Sequence, residues 1–537
     1  MLFNSTEFIL VFMPITLLGF LFLRGVSRDL ALGWLIMMSL GFYAWWRPLN
    51  VFIIVPSIVL DFAIARCLLN WNKDSVLGKY RKPLLITGIV VNLAVLGYFK
   101  YTTFFLTAMN QVAGTDFVIT YVVLPLGISF ITFQKIAFLI DVHGGRLERF
   151  SFRDYCLFIL FFPQLIAGPI VHFREMIPQF QNLPPKLDRN LFAAGIALFT
   201  IGLFKKVVLA DRMAEYLSPI YSMAGSGDGV SLIMAWLASL GFTMQIYFDF
   251  SGYSDMAAGL ALCIGVRLPL NFDSPLKATS IIDFWNRWHI TLTHFLTAYI
   301  YNPLTLAATR NRIRKGKSNL KPNSFSLSAF LVVLAAPTMF TMFVSGLWHG
   351  AGYLFILWGL LHGLYLVINH AWRRRTSVSK ATNENRERMM KPIGFVITFV
   401  SVAVAMVIFR APDVAAAADI LRGMIGLNGL VVPENIYAAL GGDAALPEFI
   451  KAGHIPRFPL AFVCVLLVIA LLAPNSMEIT ARYEPTLGVK PKENEQRWLY
   501  RLCDFKPTIA WGFVIGGLAI ASIAQFGGPS EFLYWQF

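Results

Sequence analysis

The sequence predicts an all-α, polytopic integral membrane protein with about 11 to 14 membrane helices, some of them re-entrant or broken. Of its 537 residues, 57% are apolar and 14% are charged, and the mean hydropathy is +0.63. A soluble domain carries about 45–50% apolar and about 25% charged residues. Apolar runs of about 16 to 24 residues recur from Phe8 to Ala524, and each can cross a hydrocarbon core of roughly 30 Å as a helix. The runs are continuous, so they favour helices over barrel strands.

Short polar connections separate the apolar runs, and one stretch departs from this pattern. Residues 252–305 carry many charges and are interrupted by Pro269, Pro275 and Pro303, so we expect a re-entrant or interfacial element covered by protein or water. We expect one transmembrane domain over 1–524 and a tail over 525–537. The candidate spans are 8–23, 30–46, 51–69, 84–106, 117–140, 154–171, 192–210, 231–250, 326–346, 353–372, 393–409, 459–474 and 508–524.

The basic residues indicate the orientation of the chain. The net charge of +15 resides in short clusters between apolar runs, which is typical of cytoplasmic membrane loops and excludes a nucleic-acid-binding module. The segment 410–458 has few basic residues and is expected on the far side. Both termini are then expected to be extracytoplasmic. The predicted cytoplasmic clusters lie at 73–82, 310–321, 373–391 and 475–506.

Metal and cofactor motifs are missing from the sequence. The five cysteines form no CxxC or Cys/His spacing, and no GxSxG elbow, P-loop or dinucleotide fingerprint lies in a strand–helix context. We therefore expect no metal site and no permanently bound cofactor. If the protein is an enzyme, its chemistry depends on histidine.

His349 is the strongest candidate catalytic residue. It lies in SGLWHGA at 345–351, between two apolar spans, where a charge-capable side chain is costly and indicates a functional site. An unperturbed pKa near 6.5 allows an imidazole to accept and return a proton near neutrality. Flanking Gly346, Gly350 and Gly352 allow close approach of backbone or ligand. The simpler alternative is a neutral histidine that hydrogen-bonds between helices.

A weaker candidate site lies in DFWNRWH at 283–289. Asp283 and Arg287 are spaced i, i+4 and are expected to pair on a helix, which more often supports a fold than performs chemistry. His289 follows among tryptophans that form an apolar or interfacial wall. The remaining polar candidates have simpler explanations. We interpret His294, His362 and His370 as packing or interfacial residues, and Asp249 and Asp255 as either lining a polar cavity or bonded internally.

Six short motifs occur in the order found in membrane-bound O-acyltransferases, and the chain resembles the bacterial alginate O-acetyltransferase membrane-subunit branch of that family over nearly its whole length. Thr297 and Ala298 stand where many relatives have an Arg-Asp pair, so the resemblance does not extend to the details of donor or acceptor binding there. The motifs are MLFNS at 1–5, LPLGISF at 124–130, FPQLIAGPI at 162–170, YFDFSGYSD at 247–255, DFWNRWH at 283–289 and WHG at 348–350.

The resemblance implies a ring of helices with a central tunnel that brings acetyl-CoA from the cytoplasm to an acceptor from outside. It implies that His349 is the catalytic histidine and that His289 is a second, less certain one. It also implies a periplasmic SGNH or esterase-like partner and a polysaccharide acceptor. The residues expected to bind substrate or cofactor are Trp348, Trp288, Asp283, Arg287 and Asn271.

The C-terminal FLYWQF at 532–537 is similar to a terminal motif of related acyl-export systems, in which the tyrosine is implicated as a transient acyl carrier. This similarity implies that Tyr534 is a possible carrier. The alternative is an aromatic anchor at the membrane interface.

We therefore expect an O-acetyltransferase acting on an exported or cell-surface polysaccharide, as in alginate biosynthesis, with His349 as general base. One alternative is a non-enzymatic polysaccharide or lipid transporter, which broken helices and intramembrane charges also suit. Another is the same fold acting on lipid or on D-alanyl-teichoic acid.

Overall fold

A computed structural model of the chain describes residues 1–71, 76–119, 122–226, 229–319, 326–378, 384–441, 443, 446–490, 498–527 and 533. At 225, 376–378, 384–388 and 499 it describes the backbone alone. Helices dominate these residues, and the strands among them form one two-stranded parallel sheet. The predicted all-α fold class is confirmed.

Eight of the described helices are long and apolar enough to cross a membrane, so the polytopic architecture is also confirmed. The helices of the N-terminal half are α1 (Phe8–Val26), α2 (Arg28–Trp46), α3 (Pro48–Asn70), α4 (Gly78–Ala113), α5 (Ile128–His143), α6 (Phe152–Leu160), α7 (Phe162–Leu165), α8 (Phe173–Gln181), α9 (Arg189–Ala224) and α10 (Leu232–Ile264). Those of the C-terminal half are α11 (Ile281–Trp285), α12 (Ile290–Leu296), α13 (Asn302–Arg314), α14 (Leu327–His349), α15 (Tyr353–Val378), α16 (Glu384–Arg410), α17 (Val414–Met424), α18 (Glu434–Ala439), α19 (Arg457–Leu472), α20 (Ser476–Ile479), α21 (Trp498–Leu502) and α22 (Ile509–Ile523).

The candidate spans 117–140 and 154–171 are not single helices. Among its described residues, the first is helical only from Ile128, because Gly127 adopts a left-handed φ of 67° and a side chain there would meet the Leu165 carbonyl. The second divides into α6 and α7 at Phe161, whose ψ of 107° leaves the helical region. Both short helices are buried within the protein. Apolar content alone does not distinguish burial in lipid from burial in protein.

The first part of the interrupted stretch 252–305 is regular helix, so the irregular backbone begins later than expected. Residues 252–264 complete α10, which ends at Gly265 with a φ of 95°. Beyond this point the chain forms the short helices α11 and α12, joined by irregular backbone that is largely buried. A broken, protein-covered element therefore does exist here, as irregular backbone at membrane depth requires.

Helices α9 and α10 pack closely because glycines face each other along their contact. A side-chain carbon on Gly259 would lie 2.5 Å from the Gly195 carbonyl oxygen, and one on Gly202 would lie 2.5 Å from the Gly252 carbonyl oxygen. Small residues at such positions let helix backbones approach closely in membranes. Helix α10 is buried along most of its length and forms the centre of the bundle.

The segment predicted to be extracytoplasmic, 410–458, contains α17, α18 and the strands β1 (Leu430–Val432) and β2 (Ile450–Ala452). The strands pair in parallel, with Leu430 opposite Ile450. The side chain of Asn428 donates to the carbonyl of Val230, just before α10. These contacts fix the segment against the start of α10, while its side of the membrane stays a prediction.

Replacing Gly259 with alanine should destabilise the bundle by about 1–3 kcal/mol, because the new methyl group meets backbone atoms that cannot rotate away. The measurement is thermal unfolding of the purified protein in detergent. Gly97→Ala on α4 is the control, since nothing lies within 4 Å of its added methyl group. Equal unfolding temperatures for the two variants would contradict the proposed packing.

Candidate active site

His349 is the last residue of α14 and is buried. The glycines around it allow α14 to lie against α15. A side-chain carbon on Gly346 would lie 2.2 Å from the Phe355 carbonyl oxygen, and one on Gly350 would lie 2.1 Å from the Phe355 ring. The predicted close approach at these two glycines is confirmed, and the partner is backbone and aromatic ring of the next helix.

Aromatic rings surround the His349 imidazole edge to face. Their centroids lie 4.9 Å away for Trp348, 4.9 Å for Trp358 and 5.4 Å for Phe409. Such contacts fix the ring plane and exclude water. A proton transfer in such an environment would proceed without competition from bulk solvent.

Helix α4 holds the end of α14 in place. The ammonium group of Lys100 donates to the carbonyl of Trp348, and the hydroxyl of Tyr101 donates to the carbonyl of Leu347 at 2.7 Å. The last carbonyl groups of a helix lack partners within the helix and favour a nearby cation. The sequence analysis does not identify Lys100 as part of the site. The available signal was a lysine within the apolar run 84–106, since an ionisable residue inside a predicted span indicates a specific role.

His289 is fully buried and is the N-cap residue just before α12, where it adopts a left-handed conformation with a φ of 44°. A residue other than glycine holds this conformation at a cost of order 1–3 kcal/mol, and only where its surroundings impose it. Its Nδ1 lies 3.0 Å from Oδ1 of Asn271, which also accepts a bond of 2.8 Å from the Thr291 hydroxyl. The Asn271 amide donates to Ser254 at 3.0 Å. The backbone strain at His289 is therefore held by a polar network.

The Asn271 network sets the tautomer of His289. An amide oxygen only accepts hydrogen bonds, so Nδ1 of His289 carries the proton and a neutral ring presents the lone pair of Nε2. The Trp348 ring lies 5.9 Å from His289 and 4.9 Å from His349. Residues far apart in sequence thus form one aromatic cluster, in which Trp348 contacts both imidazoles.

The other predicted binding residues lie outside this cluster or support it. Trp288 is buried between Phe272 and Phe284, and Phe272 in turn stacks on His289 at 6.4 Å. Asp283 and Arg287 form the expected i, i+4 ion pair at 2.8 Å. The Asp283 carboxylate also accepts from the Thr279 backbone, so this pair organises the turn before α11. Tyr534 lies outside the described residues.

His362 belongs to the same aromatic cluster, in agreement with its interpretation as a packing residue. It is fully buried on α15, with its ring 4.8 Å from Trp358 and 5.2 Å from Trp285. Among the described residues neither of its ring nitrogens has a hydrogen-bond partner. The available signal was its position four residues after Trp358, on the same helix face.

Asp249 and Asp255 on α10 are paired internally. Asp249 lies 2.6 Å from the ammonium of Lys206, and Asp255 lies 2.8 Å from that of Lys205. Of the two explanations left open by the sequence, the structure supports internal pairing.

Comparisons with known proteins give a family match and several similar proteins. A sequence model of the membrane-bound O-acyltransferase family matches residues 99–409, a range that contains both His289 and His349. A peptidoglycan O-acetyltransferase from Helicobacter pylori is 39% identical over 80% of this chain and 81% of its own length. A probable alginate O-acetylase from Pseudomonas aeruginosa is 36% identical over 82% of this chain and 78% of its own. A teichoic acid D-alanyltransferase from Streptococcus thermophilus is 29% identical over 53% of this chain and 68% of its own length.

Tyr101→Phe should lower the free energy of unfolding by about 0.5–1.5 kcal/mol, because it removes the hydroxyl that bonds the end of α14. Thermal unfolding in detergent measures this change. Tyr98→Phe, at an exposed position on the same helix, should leave the unfolding temperature within error. A Tyr101→Phe protein as stable as the wild type would exclude this contact as a support of the site.

Proposed function

The chain belongs to the membrane-bound O-acyltransferase family and is a multi-pass membrane acyltransferase, and we propose that it O-acetylates an exported or cell-surface polysaccharide with acetyl-CoA as donor. The enzyme class leaves the transporter alternative without support. The observation that carries the proposal is a histidine at a helix end, buried among aromatic rings beside a second imidazole, in a chain similar to O-acetyltransferases.

In the proposed reaction, His349 is the general base. It takes the proton of an acceptor hydroxyl while the hydroxyl oxygen attacks the thioester carbonyl carbon of acetyl-CoA. The tetrahedral intermediate then collapses, the carbon–sulfur bond breaks, and the departing thiolate takes the proton from the imidazolium. General-base catalysis typically contributes about 10²–10⁴-fold, and positioning of the two reactants in a dry pocket contributes further.

Two neighbours would assist this step. His289, held by Asn271, presents the lone pair of Nε2. This nitrogen would accept a hydrogen bond from a substrate hydroxyl group and so orient the substrate. The indole N–H of Trp358 is buried, has no hydrogen-bond acceptor among the described residues, and lies on a ring in contact with His349. It is the donor we assign to the developing oxyanion, for which fixed N–H groups in a dry site are effective.

Tyr534 is the proposed first acceptor. Its phenol has an unperturbed pKa near 10, so proton removal during attack suits it better than prior ionisation. The acetyl group would then pass to an esterase-like periplasmic partner and on to the polymer. The terminal sequence motif and the charge pattern that puts the tail outside the cytoplasm support this assignment, which requires an inner-membrane location with both termini outside.

D-alanyl transfer to teichoic acid is the second candidate, because a D-alanyltransferase is among the similar proteins. Its match covers less of the chain than the O-acetyltransferase matches do. The donor separates the two candidates, since acetyl transfer uses acetyl-CoA whereas D-alanyl transfer would use an aminoacyl thioester.

His349→Gln should lower acetyl transfer by at least about 10²-fold, because glutamine keeps the size of the side chain but cannot accept the proton. Transfer from radiolabelled acetyl-CoA by the membrane-embedded protein measures the effect, with protein amount in the membrane as the folding check. His294→Gln, at an exposed position on α12, is the control. A folded His349→Gln protein with undiminished transfer would exclude His349 as the base.

Tyr534→Phe should abolish acetylation of the C-terminal peptide, since phenylalanine lacks the acceptor oxygen. Mass spectrometry of that peptide after incubation with acetyl-CoA detects the acetyl group. Trp535→Phe, next in the chain, should leave the modification in place. If the wild-type peptide is never acetylated while the polymer is, the hydroxyl acceptor of the membrane step is another group.

A further inference from the structure

The aromatic cluster beside His349 contains polar atoms that packing leaves without partners. Both ring nitrogens of His362 and the indole N–H groups of Trp285 and Trp358 are buried and have no hydrogen-bond partner among the described residues. Buried polar side-chain atoms in folded proteins usually have a partner, which is protein, water or ligand. Leaving one unpaired costs about 1–3 kcal/mol. Packing therefore explains the ring carbons of these three residues but not their nitrogens.

The three rings with unpaired nitrogens are in mutual contact. The centroid of His362 lies 4.8 Å from that of Trp358 and 5.2 Å from that of Trp285, and the two indoles lie 5.9 Å apart. All three pairs meet edge to face, and the face of a ring accepts an N–H group only weakly. Rotation of side chains commonly accompanies binding, so a polar group of a ligand that entered between these rings would find several unpaired atoms at once.

The unpaired atoms of His362 and Trp285 together match one chemical group. A charged imidazole is costly to bury among apolar rings, so His362 is expected to be neutral. A neutral imidazole offers one N–H donor and one lone pair, and an indole offers one N–H donor. A secondary amide is the complement of this set, because its carbonyl oxygen accepts from Trp285 while its N–H donates to His362.

The spacing along α15 matches the spacing within an acyl thioester of coenzyme A. His362 follows Trp358 by four residues, on the same face of the helix. The indole N–H of Trp358 is the group assigned above to the thioester oxygen. In the donor, two methylene groups separate the sulfur from the nearest amide, so the thioester carbon and the amide nitrogen lie about 5 Å apart, close to the rise of about 5.4 Å per helix turn. The first amide of the donor therefore falls beside His362.

The direction of α15 also favours the donor over the acceptor as the source of this amide. Beyond His362 the helix continues to Arg373, in the basic cluster that is predicted to be cytoplasmic. Arg373 donates to the hydroxyl of Ser280 at 3.0 Å, and Ser280 precedes the helix that carries Trp285. The two helices thus extend together towards the side from which acetyl-CoA would arrive, whereas an exported saccharide would be reached from the other side.

We propose that His362 and Trp285 bind the amide nearest the sulfur of the acyl thioester donor. The Trp285 indole donates to the amide carbonyl, the His362 imidazole accepts from the amide N–H, and the thioester is thereby held with its carbonyl at Trp358. This inference rests on the proposed function for the identity of the donor. It makes the two residues specificity determinants, which select a thioester that carries this amide over a simple alkyl thioester.

The test compares two short donors on the full-length protein. S-Acetyl-N-acetylcysteamine has the thioester and this amide, whereas S-pentyl thioacetate has methylene and methyl groups in place of the amide. We expect kcat/KM of the wild type to be at least about tenfold higher for the amide donor, because the alkyl donor leaves the site's polar atoms unpaired. His362→Leu should bring this ratio close to one. His362→Gln, which keeps a donor and an acceptor, should retain part of it.

The ratio of the two donors is independent of how much protein is folded, because both are measured on the same preparation. Trp285→Phe keeps an aromatic ring and removes the indole N–H, so it should lower the ratio as well. His370→Leu, two turns further along α15, is the control and should keep the wild-type ratio. A wild-type ratio near one, or an unchanged ratio in both His362→Leu and Trp285→Phe, would overturn the proposal.

A binding measurement separates this proposal from the proposed function. Calorimetric titration of the detergent-purified protein with pantetheine should give a Kd about tenfold higher for His362→Leu than for the wild type or His370→Leu, as expected for one lost hydrogen bond to a buried group. If the wild type transfers acetyl from no donor, the proposed function fails, and the titration still decides whether His362 binds the amide. Equal pantetheine affinities of His362→Leu and the wild type would exclude this role, even if acetyl transfer is observed.

Discussion

The structure depends on a single constraint, which is that charges and backbone polar groups withdrawn from water into a membrane bundle must find partners inside it. Glycines along the contact of α9 and α10 let the two backbones approach, and this approach places Lys205 and Lys206 opposite their aspartates. Helix α10 is thereby fixed as the central element. It carries Ser254, which orients Asn271, and Phe250, which meets His289.

Neutral aromatic rings surround the His349 imidazole, and the ion pairs of α9 and α10 lie on neighbouring helices. A general base must be uncharged before it accepts a proton, so a pocket of aromatic rings suits His349. Three elements meet there: the end of α14, the glycine-lined face of α15, and α4 through Lys100. The backbones of α14 and α15 lie against each other, and side chains of α4 bond the last carbonyl groups of α14, so several contacts together fix the position of the imidazole.

Several features were predictable from local sequence because their physical cause is local. Continuous apolar runs require helices in lipid, and an i, i+4 spacing brings Asp283 and Arg287 together. The glycines beside His349 predicted close approach. Predictions that needed a distant partner were incomplete. Contacts between segments remote in the chain account for three features. They divide 154–171 into α6 and α7, bury His362, and bring the Lys100 ammonium to the end of α14.

The sequence was sufficient to identify the membrane class, most helices, the motif order and His349 as the candidate catalytic residue, because composition, periodicity and motifs are properties of neighbouring residues. Packing between distant segments placed Asn271 beside Nδ1 of His289, brought Trp348 into contact with both imidazoles, and buried Leu533 in the main hydrophobic core. These facts depend on how helices distant in sequence pack, and packing geometry is not encoded in any single segment.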